Sequence, residues 1–374
     1  MKITPEAAIE RLFTAPSPQS EWFDSSFLAQ VPLSQVEQIV TGFRTALGAY
    51  QSIQPEGKDY LVQFEKGQLL AQIVLNDQGQ IAGLLLQPRS DAIDPAAVIP
   101  QLQALPGQTN LVILEGNTEL AAHNADEALA IGSAFKLAVL AALQEQIDAK
   151  ERTWADVVEL RPEDKSLPSG ILQTWFDGAL LTVQSFATLM ISQSDNTATD
   201  ALIRLVGREA IEALTLRNAP FLTTREFFAL KNPQNEALLK RYRDGNTRQR
   251  RAVLQELTSA PLPDASLFAD KPIALDIEWF FTPRELCDLM QKVEDLPLMS
   301  VNPGGGLVDP SQWERVSFKG GSEPGVLNLT TSLKAKNGKT YCVSATWNNA
   351  EAAIDETSFY ILYGGILEGL RLRE

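Results

Sequence analysis

An α+β protein in two domains is the expectation, and three observations lead to it. At 374 residues and 41.0 kDa the chain is long enough for about two domains, each with its own core. Near its start, helix-periodic segments precede a meander of strand-like runs; farther on, strand-like runs at both ends of a longer stretch enclose many helices. The composition, 44% hydrophobic and 21% charged with no apolar run of membrane-spanning length, is that of a soluble globular chain.

From Thr4 the segments PEAAIERLF, SEWFDSSFLAQV and SQVEQIVTGFRTALG read as helices, and DYLVQFEKG, LLAQIVLNDQGQ and IAGLLLQPR as strands. The turns Glu65-Lys66-Gly67 and Asn76-Asp77-Gln78-Gly79 reverse the chain and pair these strands antiparallel. A small α+β domain over residues 1–90 follows. In element order it resembles the ketosteroid-isomerase-like cone domains, in which helices cover one curved sheet. Past Arg89-Ser90-Asp91, a helix DPAAVIPQLQAL leads into the strand NLVILEG, a Gly116-Asn117 turn with a second strand, and a long apolar helix. The far end holds RVSFKGG, VLNLTTSL and TYCVSATW, the last two joined by the hairpin signal Asn337-Gly338. A closing helix, SFYILYGGILEGLRL, is expected to complete a second domain over 91–374. Strands from both ends of this domain predict one antiparallel sheet whose first and last segments are neighbours, beside a layer of helices.

The formal charge of -15 and a pI near 4.7 oppose nucleic-acid and anionic-membrane partners, since phosphate binding depends on Lys and Arg. One His, His123, excludes a multi-His metal site, and two Cys, Cys287 and Cys342, exclude a structural zinc cluster. No metal or other cofactor is expected, so hydrolytic chemistry has to run on Ser, Lys, Tyr or carboxylates. Each Cys lies in an apolar stretch and reads as a buried free thiol. Thr4, Pro5, Glu6 and Glu10 interrupt the first turns, so no basic and apolar leader segment is visible.

Three short motifs carry the chemistry. In GSAFKLAVLAAL, Ser133 and Lys136 stand three apart on one helical face, and Lys136 is the lone ammonium in a stretch apolar nearly all round. Desolvation lowers a lysine pKa, and a neutral amine takes the proton of a neighbouring serine. The structural alternative is a helix-start serine with a snorkelling lysine, which an isolated S-x-x-K usually is. Next comes Ser194-Asp195-Asn196 between two apolar helices, otherwise an ordinary N-cap cluster. The third is Lys319-Gly320-Gly321 ending RVSFKGG, where glycines admit a ligand to the backbone or mark a bulge.

In this order the motifs resemble those of class A β-lactamases and the wider penicillin-recognising serine enzymes: S-x-x-K, S-D-N and K-T-G. The likeness runs from about Asp94 to Glu374 and includes LPSGILQ, LTVQSFATLMISQSDNTATDAL and FTPRELCDLM. It implies a β-lactamase/transpeptidase-like fold, with Ser133 as nucleophile, Lys136 as its activator and Ser194 as proton relay to the leaving group. Asn196 would hold the substrate amide. Lys319 would support Ser194 and attract a carboxylate beside Gly320 and Gly321, and the N–H groups of Ser133 and Ser322 would form the oxyanion hole. A periplasmic or extracellular location is implied as well.

Two departures stand out. Gly320 replaces the hydroxyl-bearing middle residue of K-T-G; Ser322 is a partial substitute, and Glu323 adds a charge that would repel a carboxylated ligand. The family's E-x-x-L-N, whose glutamate positions the deacylating water, is missing. Glu226 in Thr224-Arg225-Glu226-Phe227 is the positional candidate, against a salt bridge with Arg225. A longer stretch between Glu226 and Thr282 carries Lys240, Arg241, Arg243, Arg248, Arg250 and Arg251, either a solvated helical face or a lure for anions.

Thr282-Pro283-Arg284-Glu285 reads as a capping box, Gly304-Gly305-Gly306 as a flexible turn, and His123 as a solvent-facing residue. The leading reading is a serine hydrolase forming an acyl-enzyme on Ser133 with a β-lactam, an ester or a peptidoglycan-like amide. The alternatives are a penicillin-binding or sensing protein that deacylates slowly, and a non-catalytic scaffold. A monomer is expected.

Overall fold

The computed structural model describes residues 3–258, 260–268, 271–304 and 306–373, which divide into two compact units. Gly305, within the expected glycine turn, lies outside the described residues, as do positions 1, 2 and 374 of the expected domain spans. No helix among the described residues is long and apolar enough to cross a membrane.

In the first unit, Thr4 Oγ1 accepts from Ala7 N at 3.2 Å and Pro5 opens the helix Pro5–Thr14, a favourable start because proline has no N–H to leave unpaired. This helix and Leu33–Leu47 bury Ile9, Leu12, Phe13, Val36, Val40 and Phe43 against Val62, Phe64, Leu69 and Ala71. Those last residues come from an antiparallel four-stranded meander, Tyr50–Glu56, Asp59–Phe64, Gly67–Leu75 and Ile81–Arg89, in sequence order. The Asn76 side chain closes the third turn, accepting from Gln78 N at 3.0 Å and Gln80 N at 2.9 Å, while Gly79 takes a φ of 78°. SEWFDSSFLAQV forms only a single turn, Ser20–Trp22, and the short helix Ser25–Leu28, because Asp24 caps a fresh start through Ser26 N. The strand Tyr50–Glu56 was not expected from its sequence: it carries Pro55 and no alternation, both tolerated at a sheet edge.

The closing helix, Glu356–Arg371, belongs to this first unit and not to the second. Ser90 Oγ donates to Ile361 O at 2.8 Å and Ile93 N to Gly365 O at 2.8 Å. A Cβ on Gly364 would press Ser90 Oγ at 2.8 Å, and one on Gly365 would press Asp91 O at 2.8 Å, so these glycines admit the 90–93 segment to the helix surface. The expected boundary near residue 90 is therefore only the first of several crossings between units: Gly306–Asp309 also belong to the first unit, and the chain returns to it after Ile354.

The second unit holds an antiparallel sheet in the order Arg315–Glu323, Val326–Lys334, Thr340–Asn348, Gln108–Glu115, Thr118–His123. Its first and last segments are neighbours, Asn348 opposite Gln108. Gly338 at φ 89° turns the Asn337-Gly338 hairpin. Pro100 interrupts DPAAVIPQLQAL, leaving a turn at Pro95–Val98 and the helix Ile99–Gln103. The helix Lys136–Asp148 is buried on every side from Lys136 to Leu143, among the helices Val183–Ser192, Asn196–Val206 and Pro283–Val293. Thr282 and Glu285 do form a capping box. His123 Nε2 sits 3.2 Å from both Thr109 Oγ1 and Asn124 Nδ2, half-buried at the end of an edge strand.

Cys287 and Cys342 are not free thiols: they form a disulfide between the helix Pro283–Val293 and the central strand Thr340–Asn348. Each lies in an apolar run, and only tertiary packing brings the two together across 55 residues. Closing a loop of that length restricts the unfolded chain by about 4 kcal/mol in the chain-entropy model. Denaturant melts with and without a reductant are expected to show the reduced protein less stable by about 2–4 kcal/mol. Coincident melts would mean that the bridge adds no stability.

Candidate active site

The short strand Leu129–Ala130 pairs with Phe280–Phe281 and then reverses at Gly132, φ 49°, into a tight turn, Gly132–Phe135, that feeds the helix Lys136–Asp148. In a three-residue turn, side chains three apart eclipse. Lys136 Nζ therefore lies 3.1 Å from Ser133 Oγ, with Lys136 fully buried and Ser133 half-buried.

Between the helices Val183–Ser192 and Asn196–Val206, Ser194 adopts φ 54°, a left-handed conformation that a non-glycine residue rarely takes. Asp195 is the N-cap expected of such a cluster: its Oδ1 accepts from Ala198 N at 2.8 Å, and its Oδ2 ties down Ile171 N and Leu172 N at 2.7 and 2.9 Å. Its neighbours face the lysine instead. Ser194 Oγ is 3.0 Å and Asn196 Oδ1 2.7 Å from Lys136 Nζ, which also donates to Ser194 O. Burial, reinforced by the charge of Lys319, holds the Lys136 amine well below the ordinary lysine range; Asp195 and Asp200 oppose this in part.

Lys319 and Gly321 alternate onto one face of the edge strand Arg315–Glu323. Lys319 Nζ lies 3.1 Å from Ser194 Oγ, and burial pushes its pKa down to about 7. A Cβ on Gly321 would collide with Ser133 N, Ile131 O and Ala134 N, and one on Gly132 would stand 3.1 Å from Ser322 N. The glycines thus let two backbones meet, at Ser133 N and Ser322 N. Gly320 has its own steric reason: a Cβ there would stand 2.9 Å from Phe318 Cζ and 3.0 Å from Asn328 O.

Glu226 stands elsewhere in the chemistry. Its Oε2 accepts from Thr223 N at 2.8 Å in the capping box of helix Thr224–Lys231, and its Oε1 accepts from Arg208 at 2.7 Å, so both oxygens are engaged. Arg225 is not its partner; that guanidinium donates to Lys165 O. Ala219-Pro220-Phe221-Leu222-Thr223 has the spacing of E-x-x-L-N, with Ala and Thr in place of Glu and Asn. This segment is fixed beside the lysine helix: Phe221 lies 5.7 Å from Phe135, Trp279 Nε1 donates to Leu222 O at 3.2 Å, and Thr224 Oγ1 donates to Asn196 O at 3.3 Å.

Glu323 does not present a free charge; Lys231 pairs with it at 2.7 Å. Four cations of the basic run are paired, Lys240 with Asp244, Arg241 with Glu256, Arg243 with Asp276 and Arg251 with Glu212, and Arg250 covers the Tyr242 ring.

Three features escaped the sequence reading. Ser169, inside LPSGILQ, donates to Ser194 O at 2.7 Å. Asp200, five residues past Asp195, accepts from Thr224 N and Arg225 N, and its carboxyl is pushed up to about 7 by burial. Lys231 and Glu278 are buried together, and no local pattern announces that pairing.

A search of curated protein sequences returned no match. Among solved structures, a beta-lactamase from Sphaerobacter thermophilus DSM 20745 is similar over 74% of this chain and 97% of that one, at 23% identity and a TM-score of 0.51. Another, from Desulfarculus baarsii DSM 2075, is similar over 76% of this chain and 100% of that one, at 20% identity and a TM-score of 0.51. These likenesses establish the fold as β-lactamase/transpeptidase-like. The sequence model of the beta-lactamase enzyme family matches residues 96–300, just over half of the chain. The chain belongs to the beta-lactamase enzyme family.

Proposed function

We propose that the protein is a serine hydrolase that forms an acyl-enzyme on Ser133. The observation that carries this is the placement of a buried Lys136 Nζ 3.1 Å from Ser133 Oγ and 3.0 Å from Ser194 Oγ. A neutral amine keeps two N–H bonds, which Ser194 O and Asn196 Oδ1 accept, and its one lone pair remains to accept the Ser133 hydroxyl hydrogen. Lys136 takes the Ser133 proton as Oγ attacks the carbonyl carbon. The oxyanion is held by Ser133 N–H and Ser322 N–H. The proton then passes through Ser194 Oγ to the departing nitrogen or oxygen, Lys319 stabilising the charge that develops on Ser194. Asn196 steers the substrate amide, and Lys319 with Ser322 and the backbone of Gly320 and Gly321 receives a carboxylate. The substrate class is a β-lactam, an ester or a peptidoglycan-type amide.

A penicillin-binding mode with slow deacylation is favoured by one further observation: Ala219 stands where E-x-x-L-N would put its glutamate, and the Glu226 carboxylate is held by Arg208 and Thr223. The antiparallel meander supports a ketosteroid-isomerase-like reading of the first unit. The disulfide supports an oxidising compartment, periplasmic or extracellular.

Intact-mass spectrometry with a penicillin and an activated ester tests the proposal. The expected result is one acyl adduct on the wild type that outlasts the excess of reagent, and none on Ser133→Ala. Equal labelling of that variant would move the nucleophile elsewhere, and no adduct from any acyl donor would leave a non-catalytic protein.

A further inference from the structure

Lys231, Glu278 and Glu323 form a buried ionic cluster that none of these steps uses. The Lys231 ammonium lies 3.1 Å from Glu278 Oε1, 2.7 Å from Glu323 Oε1 and 4.0 Å from the centre of the Phe227 ring. Two carboxylates on one ammonium would leave a net negative charge out of water, which is strongly unfavourable. Burial and the neighbouring Glu323 accordingly hold the Glu278 carboxyl well above its ordinary range, against the pull of Lys231, and Glu278 hydrogen-bonds to Glu323. Asp276 also feels the charge of Lys231 and pairs with Arg243 of helix Glu236–Asp244 at 2.7 Å.

Each member arrives on a different segment, and two of these segments border the Ser133 turn. Glu323 ends the edge strand, one residue past Ser322 and on the face shared by Lys319 and Gly321. Glu278 precedes Trp279, whose carbonyl accepts from Ile131 N at 3.2 Å and whose ring stacks 3.7 Å from Phe135. Lys231 ends the helix that follows the Ala219–Thr223 segment.

We propose that Glu278 and Glu323, bridged by Lys231, are positioning residues that clamp the strand end bearing Ser322 to the segment bearing Trp279, and so hold Ser322 N–H at the Ser133 turn. This deepens the acyl-enzyme reading and rests on it for the role of that N–H. Ionising Glu278 ends its donation to Glu323 and loosens the clamp. Glu278→Gln keeps a donor of the same shape and cannot ionise.

The test uses the full chain, with amide hydrogen exchange over residues 318–325 from neutral to alkaline pH and acylation by p-nitrophenyl acetate. Wild-type exchange is expected to rise with pH beyond the intrinsic base-catalysed increase, and Glu278→Gln is expected to remove the excess. Lys231→Met is expected to expose the same amides at neutral pH and to lower the maximal acylation rate about tenfold with half-saturation unchanged, an effect that adding Glu278→Gln largely restores. Identical exchange profiles for wild type and Glu278→Gln would overturn the clamp, as would a Lys231→Met protein with unchanged exchange. A wild type that accepts no acyl group overturns the oxyanion role alone, and is told apart because exchange reads the backbone and not the reaction.

Discussion

Lys136→Ala is expected to slow acylation of Ser133 by about 10²- to 10⁴-fold, the usual contribution of a positioned general base. The loss should fall on the maximal rate, because the amine acts on the proton and not on the substrate's resting contacts. The pH profile of the wild type reports the same group. Lys136 works as the neutral amine, so the rate falls as pH drops through its lowered pKa. Lys319 works as the cation, so the rate falls again as pH rises through about 7. Lys319→Met removes one of the causes that depress Lys136, and the acid limb should move to higher pH. Stopped-flow release of a chromogenic leaving group measures all three. A loss below about tenfold in Lys136→Ala would return the lysine to a packing role.

The second large effect is a gain. Ala219→Glu with Thr223→Asn restores both missing positions of E-x-x-L-N, and deacylation is expected to accelerate by about 10²- to 10⁴-fold while the acylation burst is unchanged. The backbone accepts the pair: Ala219 is only half-buried, which leaves room for a carboxylate, and asparagine is as good an N-cap as the Thr223 it replaces, so Glu226 N keeps its acceptor. Glu226→Gln is the control. It removes the charge opposite Arg208 and should leave both kinetic phases alone. A second phase slowed by Glu226→Gln, with no gain from the double variant, would make Glu226 the base after all.

The site was more legible than its surroundings because each motif sits at an element boundary, where the turn and not the wider fold sets geometry. Ser133 and Lys136 need only three residues of tight turn to meet. Asp195 reads as a cap and is one, while the same left-handed step at Ser194 aims its neighbours at Lys136. Sequence gave no comparable handle on Lys231 and Glu323, which are 92 residues apart and pair only once helix and sheet have docked. The cysteines failed for the same reason. Glu226 misled because a glutamate three residues past Thr223 satisfies the start of a helix whatever else it does. Periodicity in SFYILYGGILEGLRL specified a helix correctly, but periodicity names a buried face without naming what covers it.

That last helix sets an order of events during synthesis. Domains usually fold as they leave the ribosome, the earlier one first. Here the strand Ile81–Arg89 waits for residues 355–373, which emerge only after the whole of 95–354 has been made. The later-encoded unit can close first, while Ile361 and the glycine face that complete the earlier one are still being translated. A nascent chain halted just past Asn348 would carry every strand of the Ser133 unit and an N-terminal sheet still missing one of its walls.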